Sequence, residues 1–91
     1  MRTIWKHPLT LGEQLVPMRF GSVLLHVGEQ GGQLTVWFHV PDDKAAPVPR
    51  RIVVVGTGHD CSLVPIQQHV GTVQMRSGLV WHVFDGGEVL A

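Results

Sequence analysis

Two stretches of the chain alternate apolar and polar residues with the two-residue period of a β-strand: Ser22 to Glu29 and Leu34 to Val40. Between them, Gln30-Gly31-Gly32-Gln33 reads as a tight hairpin turn with both glycines at its tip. That turn predicts Val27 opposite Val36, Leu25 opposite Phe38 and Val23 opposite Val40, which makes one face wholly apolar. The other face carries Leu24, His26 and Gly28 against His39, Trp37 and Thr35. A second hairpin, His69 to Arg76 and Leu79 to Asp85, is predicted around Ser77-Gly78. Its register sets Val73 opposite His82, Met75 opposite Val80 and Gly71 opposite Phe84, with His82 inside and Trp81 and Arg76 outside.

Arg51 to Gly58 is a continuous β-branched run, the pattern of a central strand buried on both faces. Ile4 to Pro8 and Gln14 to Met18 are shorter extended segments, the second at a sheet edge because Pro17 cannot donate to a ladder. Pro41 to Pro49 and His59 to Gln68 are loops, and Gly86 to Ala91 is a tail that frays or packs on a partner. The expected architecture is all-β: one domain over residues 1–91, a compact antiparallel β-sandwich or partly open barrel of six to seven short strands.

Composition agrees, with 15 Val, 3 Ile and 5 Thr against 3 Ala, 3 Glu and 2 Lys, which suits strands and rules out a helical bundle. At 91 residues the core is small and marginal, so the apolar surplus points to a homo-oligomer. Seven basic residues balance seven acidic ones, leaving no net field to draw the protein to duplex nucleic acid or a membrane surface. A single cysteine, Cys61, excludes an internal disulfide, and the apolar runs are strand-sized. These features read as intracellular and soluble.

Six histidines are the odd number in this balance. Gly56-Thr57-Gly58-His59 ends the buried strand, and its glycines open the backbone N–H groups to an anion; the plain alternative is a strand exit. His82 is either a core histidine satisfied by hydrogen bonds or, with His59, one of an acid–base pair. Trp37 and Trp81 offer stacking faces, and Arg50, Arg51 and Arg76 offer phosphate contacts. The histidines lack metal-ligand spacing, so neither a metal nor any other cofactor is expected.

Three strings taken together carry a resemblance that spans residues 2 to 85: Thr3-Ile4-Trp5-Lys6-His7-Pro8, Val55-Gly56-Thr57-Gly58-His59, and Val70-Gly71-Thr72-Val73-Gln74 with Leu79-Val80-Trp81-His82-Val83-Phe84. The chain thereby resembles a family of small phage and prophage proteins known only as a domain of unknown function. Asp60 stands where that pattern carries proline. The resemblance implies a role in the cytoplasm of an infected bacterium, countering host defence. The function expected is therefore capture of a small nucleotide signal, a cyclic dinucleotide or a cyclic ADP-ribose isomer. Gly56, Thr57, Gly58, His59, Arg50, Arg51, Arg76, Trp37 and Trp81 would form its site. Two alternatives stay open: metal-free cleavage of such a signal by His59 and His82, and a virion or scaffold module with no ligand.

Overall fold

The computed structural model describes residues 1–90. Every segment rich in β-branched and aromatic residues forms a strand, and the strands divide into two antiparallel sheets. One sheet has the order β1 (Thr3–Pro8), β4 (Gln33–Val40), β3 (Val23–Gln30). The other has the order β2 (Gly12–Val16), β5 (Arg50–Gly56), β7 (Val80–Glu88), β6 (His69–Gln74). The all-β expectation holds, and the sheets stay open rather than closing into a barrel. Among the described residues no helix is long and apolar enough to cross a membrane.

The core lies between the sheets and is filled by alternate residues of the facing strands. Leu34, Val36, Phe38 and Val40 of β4 meet Ile52 and Val54 of β5 and Val73 and Val83 of the β6–β7 hairpin, all buried. β5 is flanked on both sides, as its unbroken apolar run requires. β2 is an edge strand and ends at Val16, immediately before Pro17.

The first hairpin keeps its predicted register from Gln30↔Gln33 to Val27↔Val36 and on to His26↔Trp37. A β-bulge at Leu25 then shifts the pairing, so Phe38 faces Leu24 and not Leu25. The extra residue turns Leu24 inward against the core and leaves Leu25 and Val23 about half exposed, so the predicted wholly apolar face stops at Val27.

The second hairpin corrects a larger error. Its turn holds three residues, Arg76, Ser77 and Gly78, between Met75 and Leu79, whose backbones bond at 2.7 Å. Gly78 has φ +96°, the left-handed conformation this turn needs at its last position. Val73 therefore pairs with Trp81, and Thr72 with His82. One residue of slip exchanges the faces of β7: Trp81 packs against the core, and His82 and Phe84 lie on the outside of the sheet. Gly78→Ala is expected to cost about 1–2 kcal/mol, since an L-residue there carries the left-handed penalty. Urea unfolding checks this as a lower midpoint at unchanged slope.

The tail is not loose up to Val89. β7 runs through Gly86 and Gly87 to Glu88, and the Val89 N–H donates to the Pro49 carbonyl at 2.8 Å. The part of the tail expectation that concerns Ala91 lies outside the described residues.

Candidate functional site

The outer face of the four-stranded sheet would expose Val55 and Phe84, yet these are 9% and 5% accessible. The loop between Gly56 and His69 lies over them. It is built from successive i→i+3 turns: His59 N–H to Gly56 C=O at 3.1 Å, Val64 to Cys61 at 3.0 Å and Gln68 to Pro65 at 2.8 Å. Gly58, at φ +88°, sits at the third position of the first turn. Asp60 accepts from the Ser62 amide and hydroxyl, and these hydrogen bonds hold its carboxyl below the usual carboxylate range despite the opposing effect of desolvation. A proline could not supply that carboxylate.

Under the loop lies a cavity of about 260 Å³, lined by Val55, Gly56, Thr57, Gly58, His59, Cys61, Ile66, His82 and Phe84. Its walls are largely aliphatic and aromatic, and its polar groups are few and ordered. The Gly56 N–H donates to His59 Nδ1 at 3.3 Å, so the neutral His59 ring carries its proton on Nε2. That ring lies edge-on to Trp81, with centroids 6.5 Å apart. A β-carbon at Gly56 would stand 2.8 Å from His59 Cε1 and 3.0 Å from Trp81 Cζ3, so any side chain there forces a neighbour to move.

His82 is held at both nitrogens: Nε2 lies 2.8 Å from Thr57 Oγ1 and Nδ1 lies 3.0 Å from Thr72 Oγ1. His69 Nε2 meets the same Thr72 hydroxyl at 3.0 Å. A neutral His82 donates from one nitrogen and accepts at the other, so the Thr57–His82–Thr72–His69 chain is polarised one way or the other along its length. The histidine expected in the core is satisfied by hydrogen bonds, as the plain reading required, but on the outer face.

The structure thus brings Gly56, Thr57, Gly58, His59 and His82 together, keeps Trp81 beside His59 but outside the cavity lining, and disperses the arginines and Trp37. Arg50 points to the other end of the sandwich, where it makes a two-pronged bond to Asp85 at 2.9 and 2.8 Å. Arg51 pairs with Glu13, five strand residues from Gly56, about 17 Å away. Arg76 lies at the tip of the β6–β7 hairpin, its backbone N–H donating to Glu29. Trp37 is on the other sheet beside His26, and Trp81 is on the inner side of its own. The backbone N–H groups thought open to an anion are partly used: Gly56 donates to His59, Thr57 to the Val80 carbonyl at 3.3 Å. Among the described residues no arginine or lysine lines the cavity. Ile66, Phe84, Thr72 and His69 were missed as neighbours of the site. A three-residue turn, signalled by Gly78 as its last residue, would have put Phe84, Thr72 and His82 on the outer face. Among the described residues no group of three or more potential ligands could hold a metal ion.

The fold and the cavity define a small two-sheet β-sandwich with a loop-flanked cavity on its four-stranded sheet. The chain belongs to the family described as Domain of unknown function (DUF7352), whose model matches residues 1–89. No curated protein and no solved structure matches it.

Proposed function

We propose that the domain is a binding module for a small nucleotide, and that the cavity takes its base and sugar end. The observation that carries this reading is the meeting of Thr57, His59 and His82 in one apolar-walled cavity large enough for a planar heterocycle. Val55, Ile66 and Phe84 supply apolar contact, the His59 Nε2–H a donor, and the Thr57 hydroxyl a group that can donate or accept. With no cation in the lining, phosphates belong at the mouth, toward solvent. The narrower expectation, a phage-encoded protein that sequesters an immune signal in the cytoplasm of its host, rests on the sequence resemblance and chooses the ligands to try. Self-association belongs to the same proposal, supported by Leu15, Phe20 and Leu79, each more than half exposed.

The hydrogen bonding favours capture over cleavage. A general base needs a free lone pair aimed at the substrate. The His59 Nδ1 lone pair is used by Gly56, and both His82 nitrogens are used by threonines. Calorimetry against nucleosides, mononucleotides, cyclic dinucleotides and cyclic ADP-ribose isomers is expected to find a ligand that Thr57→Val weakens at least tenfold and that is recovered intact. Ligand at 100 times its dissociation constant would add about 2.7 kcal/mol, raising the melting temperature by roughly 10 °C or more. Absence of heat with every member of the panel would overturn the proposal.

A further inference from the structure

The outer face of the three-stranded sheet has a composition unlike the rest of the molecule. Cross-strand pairing sets Lys6, Trp37 and His26 in one row over β1, β4 and β3, and Ile4, His39 and Val23 in the next. Arg2 joins the second row by donating from Nε to His39 Nε2 at 3.3 Å. Lys6 is held by the neutral Gln30 carboxamide. Among the described residues no carboxylate lies within ion-pair distance of Arg2 or Lys6. No acidic residue belongs to either row, although acidic and basic residues balance over the whole chain. Ile4, Lys6, Val23 and His26 are all exposed.

Gly28 shapes the centre of this face. A β-carbon there would stand 3.0 Å from His26 Nε2 and 3.6 Å from Trp37 Cζ3. Without one, the imidazole and the indole settle over β3, their centroids 5.8 Å apart. The result is an aromatic pair on an open β-surface, with Lys6 beside Trp37 on β1 and Arg2 further along the same edge, at His39.

We propose that this face binds single-stranded nucleic acid, with a base stacked on Trp37 and adjacent phosphates held by Lys6 and Arg2. Charge complementarity selects the polyanion, and the indole beside Lys6 selects one that carries bases. Arg2 and Lys6 lie four residues apart along the β1 edge, about 13 Å, so a single strand following that edge can set a base over Trp37 on the neighbouring strand. Duplex is disfavoured, since its stacked bases leave no face for Trp37. The cavity lies on the opposite sheet, so this site stands or falls independently of it.

The test is fluorescence anisotropy of labelled eight-nucleotide oligo-U and oligo-dT with the full chain. Saturable binding is expected, with a log–log salt slope of about −1.4 for two phosphate contacts on a single strand. Trp37→Ala and, separately, Lys6→Glu should each weaken it at least fivefold. Lys6 is exposed, so its variant keeps the fold even if the tryptophan variant does not. His59→Ala should leave oligonucleotide binding as it was. Any one of three results overturns the proposal: no saturable binding, binding that neither face variant weakens, or polyglutamate bound as tightly as the oligonucleotides. If the cavity variant alone weakens binding, the oligonucleotide occupies the cavity; this inference then fails and the nucleotide reading survives.

Discussion

Gly56→Ala is expected to dismantle the cavity while leaving the sandwich folded. The new methyl would sit 2.8 Å from His59 Cε1, 3.0 Å from His59 Nδ1 and 3.0 Å from Trp81 Cζ3. Those distances are shorter than van der Waals contact, so one neighbour must move. Trp81 is wedged against the core, whereas His59 stands on an exposed loop. His59 therefore yields, its bond from the Gly56 N–H breaks, and the turn that begins the roof opens. Overpacking of this kind costs about 1–2 kcal/mol, which the fold survives, but ligand affinity should fall at least tenfold. Nitrogen NMR of the imidazole provides the check: in the parent His59 is the Nε2–H tautomer, and in the variant that preference should be lost. An unchanged tautomer with unchanged affinity would show that the Gly56–His59 contact does not shape the site.

The second large effect is expected far from the cavity. Arg50 and Asp85 join β5 to β7 at the end of the sandwich, with side chains only 14% and 20% exposed, and Arg50 also donates to the Ser22 carbonyl at 2.9 Å. Asp85→Ala removes the acceptor of two charge-assisted bonds and strands the guanidinium in a half-buried site. Such a loss should cost about 3 kcal/mol, a severe change for a domain this small. Burial pushes the Asp85 carboxyl up, but the Arg50 hydrogen bonds, the Gly87 N–H and the Arg50 charge together outweigh it and leave the group below the usual value. As pH falls, the unfolded chain takes up this proton first. The contribution of Asp85 is therefore full above about pH 4 and is lost as the pH drops through the depressed folded value. Urea midpoints measured from pH 7 to pH 2 should fall steeply in acid for the parent and less for the variant. Parallel curves would remove Asp85 from the acid response.

Much of the fold was legible because β-structure leaves a short-range mark. Alternation defined β3 and β4, the glycine pair placed their turn, and the unbroken apolar run marked β5 as covered on both sides. The string Val55-Gly56-Thr57-Gly58-His59 was also visible as a strand exit, and in the structure it lines a cavity. What failed was register. At Leu25 one extra residue in β3 turned Leu24 and Val23 over, and at Arg76-Ser77-Gly78 one extra residue in the turn exchanged the faces of β7. Both apolar patterns around these positions tolerate either register. On β7, Trp81-His82-Val83-Phe84 offers a large side chain to each face, so hydropathy alone does not choose between them.

The grouping of the arginines and tryptophans failed for a different reason. Sequence names the groups able to hold phosphate or stack on a base, but which of them meet depends on which sheet each strand joins. β4 pairs with β1 and β3, which carries Trp37 away from the cavity and sets it beside Lys6. Arg50 finds Asp85 across 35 positions of chain, and no local pattern announces that pairing.

By itself, then, the sequence determined the strand content, the central strand, the first turn and the glycine-histidine exit, all properties of residues within a few positions of one another. Only the tertiary structure decided that His82 faces outward to meet Thr57 and Thr72, that a loop flanks it to shape a cavity whose described lining holds no arginine or lysine, and that Trp37 meets Lys6 on the other sheet. The physical reason is that side chains alternate with a period of two. A single inserted residue reverses the outcome at negligible change in local energy, and only the packing of both sheets around one core selects between the two registers.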